Sequence, residues 1–538
     1  VAVDQMVNQG AVDFTRLFQI LQLFVGIFLV TVVSQYFIQR LGNTVAFDSV
    51  AKLREETFTH LNKLPLSYYD QSSQGDIVSR FTNDMDNIST AISAVFNQVF
   101  SGMTVVLVAL VFMLYLSPML TLVVLIATPI IFLITYIVAR TSQQYFTSQQ
   151  KLVGSISGFI TEMVGNQKIV KAFQRENQNQ TNFEALNQEL YVRGQKAQFA
   201  SSLTNPSSRF VDHLAYLMVG LVGGLLALKT GSGVTIGIIS SFTIYSSQFT
   251  KPFIELSGIT IQIQTAIAGL DRSFELLKEP IEQADDPDAL TLTDAKGKVV
   301  FDHVDFAYQK DQRLIENFNL TVQPGETIAI VGKTGAGKST LVNLLMRFYE
   351  VDHGTITIDG TDIRHLTRDS LRQQFGMVLQ ETWLMDSSLR ANLRYGRKSA
   401  TDEEIFAALK DAYMYDFVMR LPDKLDTIVG EAGIKLSDGQ RQLLTIARTM
   451  ISRPSMLILD EATSSVDTLT EQKIQNAFLA MMKNHTSFVI AHRLSTIQNA
   501  DQILVLDHGQ IVEIGNHQEL LQKDGYYKKL YQAQFSKS

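Results

Sequence analysis

Long apolar runs occur only in the first half of the chain. From Asn87 to Ala139 there is no Asp, Glu, Lys or Arg. A helix that crosses a bilayer needs about 20 mostly apolar residues. Five segments meet this length, namely 17–38, 95–116, 119–139, 210–228 and 234–254. The pattern predicts five membrane-spanning helices, since buried helices of a large soluble core would not need so long an uncharged stretch.

The connections between these segments alternate in length. Ser117-Pro118 and the turn 229–233 are short, whereas 39–93 and 140–209 are long, polar and rich in Lys and Arg. Positively charged connections face the cytoplasm, so the long connections and everything after the fifth segment are predicted to be cytoplasmic. With five spans the first residue would lie outside, and we therefore expect a sixth span that precedes this sequence.

The balance of charged and apolar residues becomes ordinary from about Asp294 onward. We therefore expect a helical membrane domain with long cytoplasmic extensions over 1–280, a linker over 281–297 and a cytoplasmic α/β domain over 298–538. Polar side chains in or near the spans either line a cavity for solutes or form hydrogen bonds between helices. They are Gln98, Thr104, Gln248, Gln262 and Gln264.

Composition removes several function classes. The chain is 46% hydrophobic and 18% charged, with a formal net charge of −7. No block of basic residues stands out, so nucleic acid is not an expected partner. The chain has no cysteine, which excludes disulfides, thiolate metal sites and a cysteine nucleophile.

A glycine-rich loop lies between a predicted strand and a predicted helix in "ETIAIVGKTGAGKSTLVNLLMRF", residues 326–348. Residues 332–339 fit the P-loop (Walker A) pattern G-x-x-x-x-G-K-[ST], in which backbone N–H groups surround a phosphate. Lys338 would bridge phosphate oxygens and Ser339 would bind Mg²⁺. The predicted ATP-binding residues here are Gly332, Thr334, Gly335, Ala336, Gly337, Lys338, Ser339 and Thr340.

Two acids end a buried strand in "MLILDEATSSVD", residues 456–467. Asp460 can reach Mg²⁺ through water, as P-loop proteins require. Glu461 lies just beyond the strand, where a general base could polarise an attacking water. Ordinary solvated acids are the alternative, which the P-loop in the same domain disfavours.

A second loop, "LSDGQRQ" at 436–442, runs into an apolar helix. Backbone N–H groups at a helix start favour an anion, and Asp438 already places one there. The loop is therefore either a weakened phosphate-binding loop or a capped helix.

Taken together, these motifs resemble those of the ATP-binding cassette (ABC) exporters over nearly the whole chain. The resemblance implies that Tyr308 stacks on adenine, that Gln380 touches Mg²⁺, and that His492 contacts the γ-phosphate beside the catalytic Glu461. It implies a D-loop of Ser464, Ser465, Val466 and Asp467, and a signature loop that contacts a partner's ATP, made of Leu436, Ser437, Asp438, Gly439 and Gln440.

The membrane half also resembles these exporters. Residues 68–88 and 162–176 are similar to their two intracellular loops, whose short coupling helices dock on the cassettes. The implied fold is a type IV exporter membrane domain followed by an α/β P-loop NTPase cassette. The implied protein is a multi-pass bacterial cytoplasmic membrane protein that hydrolyses ATP to export small amphipathic molecules.

Two departures from the family pattern bear on the partner. The signature has Asp438 where LSGGQ is usual, and "VGEAG" at 429–433 has Ala432 where arginine is usual. The chain thus resembles the chain of bacterial heterodimeric multidrug exporters that keeps the catalytic glutamate. Its partner would be a non-identical half-transporter with a good signature and a degraded glutamate. A homodimer, a lipid or peptide exporter and an ATP-gated channel are the alternatives.

Overall fold

In a computed structural model, the described residues are 14–229, 234–309, 314–380, 382–430, 433–460, 467–490 and 494–535. Contacts divide the chain into two compact units. Unit 1 contains residues 1–64 and 72–279, and unit 2 contains residues 65–71 and 280–538. Each unit is described separately below.

Unit 1 is helical. Its helices are α1 (Phe14–Leu61), α3 (Gln74–Ser79), α4 (Met85–Ala94), α5 (Ser101–Leu116), α6 (Pro118–Gly165), α7 (Gln167–Ala172), α8 (Glu176–Ser202), α9 (Thr204–Leu228) and α10 (Ile236–Lys278), while α2 (Leu66–Gln71) belongs to unit 2. Wider π-helical turns at Arg80–Asp84 and Val95–Phe100 join α3, α4 and α5 into one long rod.

Four of the five predicted spans each lie within one continuous helical stretch, and the fifth, 234–254, begins two residues before α10. Two stretches of the described residues, 18–61 and 74–116, are long and apolar enough to cross a membrane, and shorter apolar helical stretches cover 118–130 and 213–228. The predicted hairpin at Ser117-Pro118 is present. Ser117 is extended and its hydroxyl accepts a hydrogen bond from Leu120 N, while Pro118 occupies the first turn of α6, where a proline costs no hydrogen bond.

Unit 2 is built on two larger sheets and one two-stranded sheet. The strands are β1 (Val299–Phe306), β2 (Ile315–Val322), β3 (Thr327–Gly332), β4 (His353–Ile358), β5 (Thr361–Asp362), β6 (Phe375–Val378), β7 (Ser387–Ser388), β8 (Ile428–Val429), β9 (Met456–Asp460), β10 (Thr486–Ile490), β11 (Gln502–Asp507) and β12 (Gln510–Gly515). The larger sheet has the order β12-β11-β3-β10-β9-β6 and is parallel except for β12, and the antiparallel sheet has the order β2-β1-β4-β5.

Helices surround these sheets. They are α11 (Lys338–Leu345), α12 (Arg368–Gln373), α13 (Leu389–Arg394), α14 (Asp402–Asp411), α15 (Tyr415–Arg420), α16 (Asp438–Ser452), α17 (Thr468–Met482), α18 (Leu494–Asn499), α19 (His517–Gln522) and α20 (Tyr526–Phe535). The strands β9 and β10 are almost wholly buried and read as continuous apolar runs, as parallel strands covered on both faces do. The carboxyl ends of β3 and β9 therefore lie at the same edge of one sheet.

The start of unit 2 is held by a cluster of ionic contacts. The side chain of Arg368 is 7% exposed and donates to the carboxylates of Asp285 and Glu350, at 2.7 and 2.8 Å. Arg372 donates to Glu282 at 2.5 Å, and Arg347 lies 2.8 Å from Glu350. We call these six side chains the linker cluster, because two of its acids come from the segment that we predicted to be the linker.

Helix α2 makes its described contacts within unit 2. The hydroxyl of Tyr349 donates to the carboxylate of Asp70 at 2.5 Å. Burial and this bond together raise the pKa of Tyr349 above its ordinary value, so the phenol stays protonated and remains a donor. Asp70 lies in the stretch that resembles the first intracellular loop, whose coupling helices dock on cassettes.

Candidate functional site

The glycine-rich loop joins β3 to α11, as the sequence predicted. Gly335 and Gly337 have φ angles of +84° and +97°, which only glycine adopts without strain. A Cβ on Gly332 would lie 2.4 Å from the carbonyl oxygen of Leu506. These glycines let the backbone turn tightly before the start of α11, where N–H groups of a helix start favour anions such as phosphate.

Lys338 is folded back on this loop. Its Nζ donates to the carbonyl oxygens of Gly332 and Lys333, at 2.8 and 3.0 Å. Burial lowers the pKa of Lys338, and the charge of Asp460 acts in the opposite direction. The structure thus brings the predicted phosphate-binding lysine near the predicted Mg²⁺ acid at the end of β9. Both groups fit an ATP–Mg²⁺ ligand, since one attracts phosphate and the other attracts the cation.

Tyr308 lies just after β1, with 45% of its surface exposed. Its hydroxyl donates to Thr340 Oγ1 at 3.3 Å and accepts from Asn343 Nδ2 at 3.2 Å. These bonds tie the ring to the helix that follows the glycine-rich loop, and the ring packs edge-on against Phe306 and Tyr349. An exposed aromatic face tied to this loop suits stacking on a base.

The remaining predicted residues around this edge divide into two groups. Gln380 is exposed two residues beyond β6, and Asp467 caps α17 by accepting a bond from Thr470 N at 3.0 Å, which lowers the pKa of Asp467. The others lie outside the residues that the structure describes. They are Glu461, Ser464, Ser465, Val466 and His492.

The signature loop forms a capped helix start. The hydroxyl of Ser437 accepts from Gln440 N at 3.3 Å, and Ser437 N donates to Gln440 Oε1 at 3.0 Å. This reciprocal pair is a capping box. Within this chain, "LSDGQRQ" therefore caps a helix. The contact of this loop with a partner's nucleotide remains a prediction.

Arg441 is a residue that the sequence reasoning missed. It pairs with the carboxylate of Asp438 and donates to Leu436 O at 3.0 Å. The charge of Asp438 is thus partly neutralised, and the repulsion expected between an isolated carboxylate and a phosphate is smaller here. The signal was present in the sequence, because residues three apart on a helix are neighbours.

Comparisons with known proteins agree with this arrangement. The family model described as "ABC transporter transmembrane region" matches residues 1–253, and "ABC transporter" matches residues 315–464. A fatty acid ABC transporter ATP-binding/permease protein of Mycobacterium tuberculosis is 41% identical over 98% of this chain and 83% of its own. The putative multidrug export ATP-binding/permease protein YgaD of Bacillus subtilis is 35% identical over 99% of this chain and 92% of its own.

A solved structure shows the same fold. A bacterial Atm1-family ABC exporter with ATP bound superposes with a TM-score of 0.79 and 30% identity, covering 100% of this chain and 94% of the other. The chain belongs to the ABC exporter half-transporters, with a helical membrane domain followed by an α/β nucleotide-binding cassette. It hydrolyses ATP to drive transport, works as a dimer of half-transporters, and lies in a membrane with its cassette in the cytoplasm.

Proposed function

We propose that this chain exports amphipathic small molecules as the glutamate-bearing half of a heterodimeric transporter. The observation that carries this proposal is the combination of an intact glycine-rich loop with an acidic signature. Asp438 lies in the first turn of α16, beside the N–H groups that an LSGGQ loop would offer to a γ-phosphate. A partner with a degraded glutamate and a neutral signature would complete the hydrolysing site at this chain's own glycine-rich loop.

Each predicted site residue has a distinct task in this proposal. Lys338 would leave the two loop carbonyls to bind phosphate oxygens, and Ser339, Asp460 and Gln380 would hold Mg²⁺. That cation, when bound, neutralises charge that develops on the phosphate oxygens. Glu461 takes a proton from the attacking water, and His492 orients the γ-phosphate. ATP favours transport only if it binds the closed pair of cassettes more tightly than the open pair.

A homodimer is the second candidate, and the Asp438–Arg441 pair favours it. An isolated unit charge about 5 Å from a like charge costs roughly 3 kcal/mol at an effective dielectric of 20. Asp438 is more than half exposed and paired, so its net penalty falls to about 1 kcal/mol, the scale of exposed ion pairs. A homodimer of this chain would then be slowed and still active.

Purified chain alone distinguishes the two assemblies. Under the heterodimer proposal, its ATPase rate is at least tenfold below that of the chain mixed with a half-transporter that has a Gly-containing signature. Asp438→Gly should lower the ATP concentration for half-maximal activity of the chain alone about fivefold, which corresponds to about 1 kcal/mol. Asp438→Asn is the matched variant that removes only the charge. Full turnover by the unaltered chain as a homodimer would overturn the heterodimer.

The substrate class is proposed from a polar stripe on α10. Gln248, Lys251, Glu255 and Gln262 are all exposed in unit 1, and their spacing of three, four and seven residues places them on one helix face. Phe249 and Thr250, which lie on other faces of this helix, are buried. Gln248 and Lys251 lie within the predicted span 234–254, where polar side chains face a bundle interior or a water-filled cavity. This supports a pathway for molecules with a polar head and an apolar body.

The proposed head-group site contains both signs of charge. Lys251 Nζ lies 3.8 Å from Glu255 Oε1, and both side chains remain exposed, at 66% and 45%. The fatty acid transporter and the putative multidrug exporter among the relatives carry names consistent with amphipathic cargo. An amphiphile of either charge could therefore exchange for one partner of this pair.

Removal of one charge from the stripe should change the apparent affinities for anionic and cationic amphiphiles in opposite directions. Lys251→Gln leaves Glu255 alone, so the concentration of a fatty acid for half-maximal ATPase stimulation rises about fivefold and that of a cationic dye falls. This change corresponds to about 1 kcal/mol for an exposed pair. Glu255→Gln should give the reverse pattern, and Lys229→Gln at the turn after α9 should change neither. Equal responses to both amphiphiles would exclude the pair from the substrate pathway.

A further inference from the structure

The glycine-rich loop contains a lysine that the P-loop pattern does not require. Lys333 is exposed and occupies one of the variable positions between Gly332 and Gly337. Its Nζ lies 5.7 Å from the ring centroid of Tyr526, the first residue of α20. A lysine ammonium within about 6 Å of an aromatic ring centroid is attracted by the ring. The loop thus contacts the start of the last helix of the described chain.

Tyr526 is held by two hydrogen bonds of its own and by one that its neighbour Tyr527 makes. Its hydroxyl donates to Asp507 Oδ1 at 3.2 Å, and its backbone N donates to Glu513 Oε1 at 2.7 Å. The other carboxylate oxygen of Glu513 accepts from Tyr527 N at 2.9 Å. Gly525 makes room for this carboxylate, because a Cβ there would lie 1.6 Å from Glu513 Oε1. The ring therefore has a defined position relative to β11 and β12.

The same strands also contact the loop directly. Gly509, in the turn between β11 and β12, donates from its N to Ala336 O at 3.1 Å. Tyr527 is 2% exposed and packs in one apolar cluster with Ala329 and Val331 of β3, the strand that leads into the loop. The loop is thus bounded by the strand turn on one side and by Tyr526 on another.

The contact between Lys333 and Tyr526 is linked to Lys338 through the backbone of Lys333. The carbonyl oxygen of Lys333 accepts the 3.0 Å bond from Lys338 Nζ, so the position of Lys333 influences where this ammonium rests before it turns toward phosphate. A loop that is already ordered loses less conformational entropy when it binds its ligand. Restraint of Lys333 should therefore strengthen ATP binding more than it alters the chemical step.

We propose that Tyr526 is a positioning residue, which orders the glycine-rich loop through the side chain of Lys333. The proposal rests on the assignment of residues 332–339 as the ATP site. It gives the C-terminal helix α20 a role in setting the affinity of its own cassette for ATP. Asp507 and Glu513 act through Tyr526, since they fix its hydroxyl and its backbone N.

The test compares single and paired substitutions in the full chain, assembled with its partner half and reconstituted in membranes. Tyr526→Leu and Lys333→Ala should each raise the KM for ATP about two- to fivefold, as expected for an exposed cation–ring contact, with kcat changed less than twofold. The double variant should be no worse than either single variant, because both remove the same contact. Tyr526→Phe keeps the ring and should restore most of the affinity.

Controls separate this role from general stability. Tyr531→Leu lies on the same helix and packs against His517 and Tyr527, so it should change the melting temperature without raising KM. Additive effects of Lys333→Ala and Tyr526→Leu, or an equal rise in KM for Tyr531→Leu, would overturn the proposal. Direct titration of each variant with ATP tests the assignment of the ATP site separately from the positioning role of Tyr526. Lys338→Ala with unchanged ATP binding would refute the site itself, whereas lost binding in Lys338→Ala with an unaltered KM in Tyr526→Leu would refute only the positioning role.

Discussion

Glu461→Gln should lower ATP hydrolysis by at least about 100-fold while leaving ATP bound. A positioned general base contributes about 10²–10⁴ in rate, and the amide of glutamine keeps the size of the side chain without accepting the proton. The residues that we propose for ATP binding, in the glycine-rich loop and at Tyr308, are left unaltered by this substitution. The measurements are phosphate release by the assembled transporter and titration with ATP.

The control for this substitution is an acid of the same type in the same cassette. Glu403 is exposed in the first turn of α14, and Glu403→Gln should leave hydrolysis unchanged. Transport of a fluorescent amphiphile into inverted vesicles should stop in Glu461→Gln and continue in Glu403→Gln. If Glu461→Gln hydrolyses ATP within a few-fold of the unaltered rate, another group must accept the proton.

The heterodimer proposal also predicts which of the two chains must carry the working glutamate. Glu461→Gln in this chain should abolish hydrolysis by the mixed assembly, because the partner is proposed to lack a working glutamate. A homodimer would contain two equivalent glutamates, and mixing unaltered with Glu461→Gln chains would then leave mixed dimers with one intact site. The dependence of rate on the mixing ratio therefore reports the composition of the assembly.

The sequence was most informative where chemistry depends on neighbouring residues. The glycine-rich loop is defined by a few adjacent positions, and the positive φ angles of Gly335 and Gly337 follow from the loop that the motif predicts. The family and the fold class were predicted from such local motifs, and the comparisons confirm both. The capping of α16 by Ser437 was equally local.

Contacts between residues far apart in the chain could not be read in this way. No sequence pattern predicts that Tyr526 lies near Lys333, because their proximity depends on the order of β3, β11 and β12 in one sheet. The same holds for helix α2, which lies among helical segments in the sequence and contacts Tyr349 of unit 2. The Asp438–Arg441 pair is different, because its three-residue spacing was visible and a helix was already expected there.

The linker cluster is a further product of the tertiary fold, and it predicts the largest loss of stability. Arg368→Met keeps the apolar stem and removes the charge that faces Asp285 and Glu350. Removal of one partner from a buried ionic group costs about 3–5 kcal/mol, and the acids here are 28% and 38% exposed, which favours a loss of about 3 kcal/mol. For a domain of this size the melting temperature should fall by about 6–12 °C.

The chain offers a matched control and a local probe for this change. Arg453 pairs with Glu404 in the same unit but is 68% exposed, and Glu404 is also paired with Arg397, so Arg453→Met should cost at most about 1 kcal/mol. Trp383 is the one tryptophan of the sequence, and its fluorescence during thermal unfolding of the full chain reports on unit 2. Equal melting temperatures for the two variants would mean that the three acids rearrange around the remaining Arg347 and Arg372. A large drop confined to Arg368→Met would show that burial, rather than the number of ion pairs, determines how firmly the linker residues Glu282 and Asp285 are held.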